Sequence, residues 1–492
     1  MISEASPKSQ AIAPARLDPA DWDALRAQGH RMLDDMLDHL QSLRAQPVWR
    51  PMSPEHRARF RTPPPTGPAD LAAVHEDFMR NVLPYAGGNL HPGFMGWVQG
   101  AGTPAGMLAE MLAGGLNANL GGRDHAPIAV EREVAGWMAE LFGLPASASG
   151  LFVTGASMAN FIGVLAARTR ALGPAVRRTG LAGSDKRLTA YVSKAAHACV
   201  VRAMEMSGLG AEALRVIGFD ADQRIDLVAL RARIAADRQA GLTPFLVVGN
   251  AGTVDVGAID DLTALADIAE AEAMWFHIDG AYGALGVLSP EVAPKLAGLG
   301  RADSIAFDFH KWGHVPYDAG FVIARDGARL RDTFATPAAY LQREQRGLAG
   351  GDFWPCDYGP DLSRGFRALK TWITLRVCGL DAIGDSISRS CALARTLQAR
   401  IEAEPELELL APAQLNIVCF RYRCAAADAV NRRIVVELQE AGRVAPSLTE
   451  IGGHAAIRAA LFNHRTGPED LDALVAGALS LGRAHAVTAG AA

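Results

Sequence analysis

Lysine is scarce in this chain of 492 residues, and one of its six lysines occupies a position suited to covalent chemistry. Lys311 follows the β-rich run SIAFDF and stands within the segment Phe309-His310-Lys311-Trp312. An amine in such an apolar, water-poor setting loses its proton more readily and can then attack a carbonyl carbon. A lysine that merely ends a strand and extends its charge to water accounts for the position about as well. The segment therefore favours Schiff-base chemistry at Lys311 and leaves the simpler explanation open.

An acidic residue ends the apolar run MWFHID and is followed at once by small residues. In parallel sheets, ligands bind beyond the carboxyl ends of the strands, which is where Asp279 should lie. A buried carboxylate at that position needs a cationic partner. The protonated nitrogen of a pyridine ring is one such partner, because the carboxylate keeps the ring charged and able to accept electrons. An aspartate bonded only to backbone groups at the strand end is the alternative.

Two further segments contribute an anion site and an imidazole. The run LFVTGASMAN passes from a strand through small residues into an apolar helix, so free N–H groups at the helix start, with the Ser157 hydroxyl, form a site for a phosphate. Such turns are also common without any ligand. His197 follows the run LTAYVS, where its ring could lie on a planar cofactor, although a lone histidine is more often a hydrogen-bonded core residue. The order of phosphate turn, histidine, aspartate and lysine along one sheet indicates a single cofactor site.

The elements that must position these residues alternate in type. From about Gly87 to Ala324, helical segments alternate with short β-rich runs, namely LTAYVS, LRVIGF, PFLVVGN, MWFHID, SIAFDF and AGFVIA. Alternation of this kind predicts crossover connections and a mostly parallel sheet that helices cover on both faces. Beyond about Gly379 the pattern predicts a smaller α+β domain, with helices over Asp385–Glu402, Ala427–Glu440 and Pro468–Gly482 and strands near Asn416–Arg421 and Ala455–Phe462.

The amino-terminal part predicts an amphipathic helix with Asp18 as N-cap, Pro19 as its first residue and an end near Leu43. Its apolar stripe has no obvious partner nearby, and the Pro-rich stretch Arg61–Pro68 follows it. The helix could therefore pack across a dimer. We accordingly divide the chain into an amino-terminal helical arm swapped across the dimer, a large α/β domain and a small α+β domain, over residues 1–86, 87–378 and 379–492.

Composition and charge exclude several classes of function. A net charge of −5 gives no basic surface for nucleic acid or for anionic lipid. The six cysteines form no CxxC pair and show no metal-ligand spacing, so neither a zinc site nor a disulfide framework is expected. The sequence MISEASPKSQ lacks the features of a secretory signal. Turn residues interrupt the uncharged stretch Leu141–Ala167, which predicts strand, loop and helix instead of a membrane span. We expect a cytoplasmic enzyme that acts on a small molecule.

Six motifs together resemble the group II pyridoxal-phosphate-dependent amino acid decarboxylases, a family that includes aromatic-L-amino-acid and glutamate decarboxylases. They are HPGFMGWV, TGASMAN, AAHACV, WFHIDGAY, DFHKW and SRGFRALKTW, and they occur in the family's order from about Gly87 to Leu380. The resemblance implies the aspartate-aminotransferase-like α/β fold of the PLP-dependent transferases (fold type I), with pyridoxal 5'-phosphate as cofactor. It also implies a homodimer with active sites at the subunit interface, and conversion of an L-amino acid into an amine and carbon dioxide.

The same resemblance implies a role for each candidate residue. Lys311 would carry the cofactor as a Schiff base, Asp279 would bind its pyridine nitrogen and His197 would stack on its ring. Tyr340, in the polar segment TPAAYLQREQRGLAGG, would deliver the proton to the Cα atom of the substrate. The remaining candidates are Ala281 for the other ring face, Ala156, Ser157 and His310 for the phosphate, Ser363 for the phosphate from the partner subunit, and Pro92 and Trp97 for the substrate.

The residues leave the substrate and the product open. Trp97 stands where aromatic-specific members carry an aromatic side chain, which favours an aromatic substrate. Gln99 and Gly100, however, replace the residues usual after it in the animal and plant aromatic enzymes, and Val254 stands where a hydroxyl residue is common. Another fold type I enzyme, such as an aldehyde synthase, an aminotransferase or a carbon–carbon lyase, would share Lys311 and Asp279. A non-catalytic dimer with a relic cofactor pocket is the last alternative, and the intact lysine, aspartate, histidine and tyrosine argue against it.

Overall fold

The computed structural model of the protein describes residues 17–336 and 343–489. The chain forms two compact units, one of Met1–Ala45 with Pro51–Ala86 and the other of Gln46–Arg50 with Gly87–Ala492. The helices are α1 (Trp22–Gln41), α2 (Pro54–Ala58), α3 (Leu71–Asn81), α4 (Pro104–Leu116), α5 (Ala126–Leu141), α6 (Ala156–Leu172), α7 (Val176–Thr179), α8 (Cys199–Met206), α9 (Leu227–Gln239), α10 (Leu262–Ala271), α11 (Gly327–Phe334), α12 (Arg367–Cys378), α13 (Leu380–Ala403), α14 (Ala427–Ala441) and α15 (Pro468–Ala489). The strands are β1 (Phe94–Met95), β2 (Ser149–Val153), β3 (Leu188–Ser193), β4 (Leu214–Ile217), β5 (Thr243–Asn250), β6 (Trp275–Asp279), β7 (Ser304–Asp308), β8 (Gly320–Ala324), β9 (Leu407–Ala411), β10 (Ile417–Tyr422), β11 (Ala445–Ile451) and β12 (His454–Ala460).

The first unit contains helices α1 to α3. The cap of α1 differs from the prediction, because Asp21 and not Asp18 accepts hydrogen bonds from the amides of Asp23 and Ala24. Pro19 consequently lies before the helix. Asp18 and Asp21 both fit the preference for aspartate at an N-cap, so the sequence does not distinguish them. The cap is the one whose carboxylate reaches the amides two or three residues further along.

The second unit is built on a seven-stranded sheet in the order β2-β8-β7-β6-β5-β3-β4. The strands from β7 to β4 pair in parallel, and β8 runs antiparallel to both of its neighbours, β2 and β7. The prediction of a mostly parallel sheet is therefore confirmed, with β8 as the exception. Every residue of β6, β7 and β8 is buried, which explains why these strands read as continuous apolar runs and not as alternating ones.

The core of this unit lies on both faces of the sheet. Along β7, Ile305 and Phe307 pack into one apolar cluster, while Ala306 between them packs into another. Successive side chains of a strand point to opposite faces, so helices on both sides are needed to cover them. The stretch Leu141–Ala167 supplies the end of α5, a loop, β2 and α6, as predicted. No helix within residues 17–336 and 343–489 is long and apolar enough to cross a membrane.

The sheet order brings the predicted chemical segments to one edge. Asp279 at the end of β6 is paired with Asn250 at the end of β5, and β7 ends beside them at Asp308. Because β2 and β7 are both antiparallel to β8, β2 also ends at this edge and delivers the start of α6. The end of β3 leads to His197 in the same way. The strand order and directions therefore bring all of these segments to the same edge of the sheet.

A smaller five-stranded sheet has the order β1-β11-β12-β10-β9. The helices and strands predicted beyond residue 379 are present, but β9 and β11 are not among the predicted strands. In β11 only the first three residues are fully buried, and the strand contains Pro446, Thr449 and Glu450. Its sequence therefore lacks the apolar run that would predict a strand. The short β1 pairs in parallel with the start of β11, which places the chain after Met95 beside the smaller sheet.

Candidate active site

A cavity of about 480 Å³ lies at this edge, between the seven-stranded sheet and strands β11 and β12. Eight of the candidate residues line it: Trp97, Ala156, Ser157, His197, Asp279, Ala281, His310 and Lys311. Pro92 and Ser363 are not part of the lining. Tyr340 lies outside the described residues.

The amine of Lys311 pairs with a carboxylate that the sequence motifs did not single out. Its Nζ atom lies 2.8 Å from Oδ2 of Asp308, the last residue of β7. Burial alone would lower the pKa of Lys311, but the charge and hydrogen bond of Asp308, together with the charge of Asp279, raise this pKa above its usual value. The expectation that the apolar setting favours the neutral amine is therefore wrong, because the setting contains a carboxylate.

Asp308 also contacts the start of α6. Its Oδ1 atom accepts a hydrogen bond of 2.6 Å from the amide of Ala156, the first residue of the helix. No described residue accepts a hydrogen bond from the next amide, that of Ser157, and the Ser157 side chain is exposed at the cavity. Because N–H groups at a helix start attract anions, this position offers an open donor and a hydroxyl to a phosphate.

His310 adds a neutral donor to the same side of the cavity. Its Nδ1 atom accepts a hydrogen bond of 3.0 Å from the amide of Ala319, so the ring hydrogen resides on Nε2, which lies 3.5 Å from Oδ2 of Asp308. Burial lowers the pKa of His310 to about 4 against the opposing charge of Asp308. The imidazole is therefore uncharged near pH 7 and can still donate from Nε2.

Asp279 faces the cavity from the end of β6. Its Oδ1 atom accepts a hydrogen bond of 3.1 Å from the Ala281 amide, and its Oδ2 atom lies 3.6 Å from the Cys199 thiol. His197 is exposed at the cavity, and its Nδ1 atom accepts a hydrogen bond of 3.2 Å from the Cys199 amide. The lining thus presents the carboxylate together with an imidazole and a methyl group, which are the expected neighbours of a flat ring.

The opposite wall comes largely from the smaller sheet, which contributes Ser447, Leu448, Thr449 and Arg458. The guanidinium of Arg458 is buried, and each of its three nitrogen atoms donates to a protein oxygen. The acceptors are the carbonyl oxygens of Trp97, Val254 and Asp255 and the hydroxyl oxygen of Ser447. This arginine therefore ties the Trp97 segment to β11 and to the loop after β5.

Pro92 and Ser363 lie in segments that are fixed by their own contacts. Pro92 is buried, and its carbonyl oxygen accepts a hydrogen bond of 2.7 Å from the Thr466 hydroxyl. Ser363 is exposed and precedes Arg364, whose buried guanidinium bonds to both carboxylate oxygens of Glu131. The prediction for Ser363 concerns the partner subunit's site, and the prediction for Pro92 concerns the substrate, so both remain predictions.

Sequence reasoning missed Asp308, Arg458 and the wall formed by β11. Two of these left a signal, since Asp308 is the one charged residue in SIAFDF and Arg458 the one charged residue in AAIRAALF. A charge inside an otherwise apolar strand must find a partner, which marks it as a residue with a specific contact. The sequence alone does not say which contact that is.

The lining fits pyridoxal phosphate. A lysine amine can react with the aldehyde, and a strand-end carboxylate can pair with the pyridine nitrogen. An imidazole and a methyl group can contact the two ring faces, and an open helix start can bind the phosphate. The seven-stranded sheet carries these groups at the carboxyl ends of its strands, where such folds bind ligands. Fold and site together define a pyridoxal-phosphate-dependent enzyme of fold type I.

Comparison with known proteins narrows this class. The family described as "pyridoxal-dependent decarboxylase conserved domain" matches residues 54–423, and the chain belongs to this family. It is therefore an amino acid decarboxylase, a carboxy-lyase that depends on pyridoxal phosphate.

Individual relatives match over nearly their whole length. An aromatic-L-amino-acid decarboxylase from Bacillus atrophaeus is 33% identical over 461 residues, which cover 91% of this chain and 93% of the relative. A phenylacetaldehyde synthase from Arabidopsis thaliana is 28% identical over 90% of this chain and 93% of its own length. The crystal structure of an Oryza sativa enzyme abbreviated TDC, solved with PLP and tryptamine, superimposes with a TM-score of 0.87 at 25% identity over 95% of this chain and 99% of that one.

Replacing Asp308 by Asn should move the reactivity of Lys311 to lower pH. The amide can still accept from Ala156, but it removes the negative charge that raises the pKa of Lys311, so more of the amine is neutral at a given pH. The measurement is the pH dependence of cofactor attachment to the apoprotein, trapped by borohydride. Asp352→Asn, which removes an exposed carboxylate paired with Arg132, is the matched control and should leave the midpoint in place. An unchanged midpoint in Asp308→Asn would contradict the assigned ion pair.

Proposed function

We propose that this protein decarboxylates an aromatic L-amino acid to the corresponding amine and carbon dioxide. The proposal rests on the wall of the cavity, where the side chains of Trp97, Val254 and Leu448 are apolar and the buried cation Arg458 already donates to protein oxygens. Among the described residues of this wall, no second cation faces the carboxylate of an acidic substrate side chain, whereas an aromatic ring would contact apolar atoms. The relatives named for aromatic amino acids support the same choice.

The side chains of the cavity then divide the work of binding. When bound, pyridoxal phosphate supplies a conjugated ring that takes up the electron pair left by the departing carboxylate. Lys311 would hold the cofactor through its amine, and Asp279 would keep a proton on the ring nitrogen. The remaining residues hold the cofactor in place: His197 and Ala281 at the ring faces, and Ala156, Ser157 and His310 at the phosphate.

Product analysis tests this proposal. The protein, saturated with pyridoxal phosphate, is incubated with each of the twenty L-amino acids, and amine, aldehyde, carbon dioxide and peroxide are measured. We expect tryptophan, tyrosine or phenylalanine to yield amine and carbon dioxide in equal amounts, and glutamate and aspartate to yield none. Turnover of an acidic substrate alone would contradict the proposed specificity. Aldehyde with peroxide in place of amine would assign the protein to the aldehyde-forming alternative.

We propose that Tyr340, which lies outside the described residues, donates the proton that Cα receives after carbon dioxide has left. A phenol hydroxyl both donates and accepts, whereas phenylalanine fills the same space without a proton. In Tyr340→Phe, carbon dioxide should still be released, because bond cleavage depends on the cofactor and Asp279. Without the proton, the electron pair at Cα would reduce dissolved oxygen to hydrogen peroxide, and water would release aldehyde and ammonia in place of the amine.

The ratio of amine to peroxide in wild type and Tyr340→Phe measures this role. We expect amine to predominate in the wild type and peroxide to rise to about the amount of carbon dioxide in the variant. Tyr358→Phe is the control, since Tyr358 lies outside the cavity lining, and it should leave the ratio unchanged. An unchanged amine yield in Tyr340→Phe would remove this residue from the proposal.

We also propose that the protein is a homodimer. Along α4, four large apolar side chains at helical spacing are exposed on one face: Leu108, Met111, Leu112 and Leu116. A contiguous apolar face of this kind marks an interface, and the resemblance noted above places the active sites of this family between two subunits. The exposed apolar residues of α1, Trp22, Met32 and Leu37, support the predicted swapped arm over residues 1–86.

Sedimentation equilibrium should give twice the mass of the chain. Replacing both Met111 and Leu112 by Glu should shift the protein to the mass of one chain, because two carboxylates would have to be buried in the interface. Val436→Glu changes a single exposed apolar residue on α14 and should leave the dimer intact. An active wild-type monomer would contradict the proposal.

A cytoplasmic location and the division into domains at residues 86 and 378 are likewise proposed. The six cysteines are free thiols, which suits a reducing compartment. The two separate sheets support a large and a small domain. Fractionation of the producing cell and limited proteolysis test these two points respectively.

A further inference from the structure

Five buried side chains form a continuous line of hydrogen bonds that ends at Asp279, with one of them, Cys199, at the wall of the cavity and the other four behind it. We call them the donor chain: Trp275, Ser304, His277, Asn160 and Cys199. The line begins where Nε1 of Trp275 donates to Oγ of Ser304 at 2.8 Å. The same Oγ atom lies 2.7 Å from Nδ1 of His277. Two neighbouring strands, β6 and β7, therefore supply the first half of the line.

Helices α6 and α8 supply the second half. Nε2 of His277 lies 2.8 Å from Oδ1 of Asn160, and Nδ2 of Asn160 donates to the sulfur of Cys199 at 3.4 Å. The Cys199 sulfur lies 3.6 Å from Oδ2 of Asp279. The line thus connects Trp275, the first residue of β6, to the carboxylate of Asp279, its last residue.

The charge at its end fixes the direction of every bond in the line. An aspartate carboxylate only accepts, so the Cys199 thiol must donate to it, and the sulfur must in turn accept from the Asn160 amide group. The amide oxygen of Asn160 then accepts from His277, whose other nitrogen accepts from the Ser304 hydroxyl. The Ser304 oxygen is free to donate because it accepts from Trp275. All five donors therefore point toward Asp279.

Neither titratable member of the donor chain changes its charge near neutral pH. Burial lowers the pKa of His277 to about 4, so its ring is neutral and carries one hydrogen. Burial and the charge of Asp279 raise the pKa of the Cys199 thiol, so the thiol keeps its proton, although Lys311 acts in the opposite direction. The direction of the line is therefore constant near neutral pH.

The position of the His277 ring depends on Gly163 in α6. A Cβ atom at position 163 of α6 would lie 2.6 Å from Cε1 and 2.7 Å from Nδ1 of the imidazole. No real Cβ atom approaches a ring so closely, so Gly163 allows the helix to pack directly on His277. The sequence thus provides space for the ring as well as partners for both of its nitrogen atoms.

We propose that the donor chain is a positioning network that holds Asp279 as an anion directed at the pyridine nitrogen of the cofactor. This rests on the proposed role of Asp279 in the function above. Hydrogen bonds that all point one way polarise each other, so the thiol at the end is a better donor than an isolated thiol. A donor to the second oxygen fixes the carboxylate, while Oδ1 is fixed by the Ala281 amide. Cys199 lines the cavity beside Asp279 and acts on that carboxylate, whereas the other four residues lie outside the cavity lining and act through Cys199.

Neutron diffraction from crystals of the deuterium-exchanged holoenzyme tests the direction of the line. We expect a deuteron on Nε2 of His277, none on Nδ1, and one on the Cys199 sulfur. A deuteron on Nδ1 of His277 would reverse the line, leave the Asn160 oxygen as acceptor for the thiol, and overturn the proposal. This result does not depend on which amino acid the enzyme uses, so a failure of the proposed substrate class leaves it unaffected.

A double-mutant cycle on the dissociation constant of pyridoxal phosphate tests the coupling to Asp279. Cys199→Ala should weaken cofactor binding about tenfold, and Cys199→Ser, which keeps a donor, should stay within about twofold of wild type. In the Asp279→Asn background, Cys199→Ala should change the constant by about twofold or less, because the anion it supports is absent. Cys391→Ala, at another buried cysteine, is the control and should have no effect. An equal loss from Cys199→Ala in both backgrounds would show a purely structural role and overturn the proposal.

Discussion

The ion pair between Asp308 and Lys311 is the interaction on which the site depends. Burying two charges carries a desolvation penalty of several kcal/mol for each ion, which is offset only by close contact and by further hydrogen bonds. The close contact is the distance of 2.8 Å between Lys311 and Asp308. The further hydrogen bond comes from the amide at the start of α6, which donates to Asp308. This one carboxylate therefore holds the Lys311 amine and the start of α6 in a fixed relation. Because the nucleophile is the neutral amine, attachment of a carbonyl compound at Lys311 requires that this pair first lose a proton.

The two sheets contribute different functions to the cavity. The seven-stranded sheet brings Asp279, Asp308 and Lys311 to one edge because its strands end together, and this edge carries the groups that suit the cofactor. The smaller sheet contributes Arg458 and the apolar Leu448, which face the space left for a substrate. Arg458 links the two parts through the carbonyl oxygens of the loop after β5. Changes in β11 or β12 should therefore alter substrate choice more than cofactor binding.

Much of this arrangement could be predicted from the sequence because it follows from local pattern. Strands buried on both faces read as apolar runs, and residues directly after them must lie at the carboxyl edge, which located Asp279, His197 and Lys311. Contacts between distant segments left no such pattern. The partner of Lys311 is local, three residues before it, but it depends on the turn after β7, which the apolar pattern of the strand does not predict, and so the direction of the pKa shift was predicted wrongly. Strand β11 was missed because half of it faces solvent and carries polar residues.

The site of covalent attachment tests the account most directly. The purified protein is loaded with pyridoxal phosphate, reduced with borohydride and digested, and the modified lysine is identified by mass spectrometry. The account predicts that the cofactor is attached to Lys311, the one lysine that lines the cavity among the described residues. Attachment to Lys186, Lys194, Lys295 or Lys370 with Lys311 unmodified would contradict it.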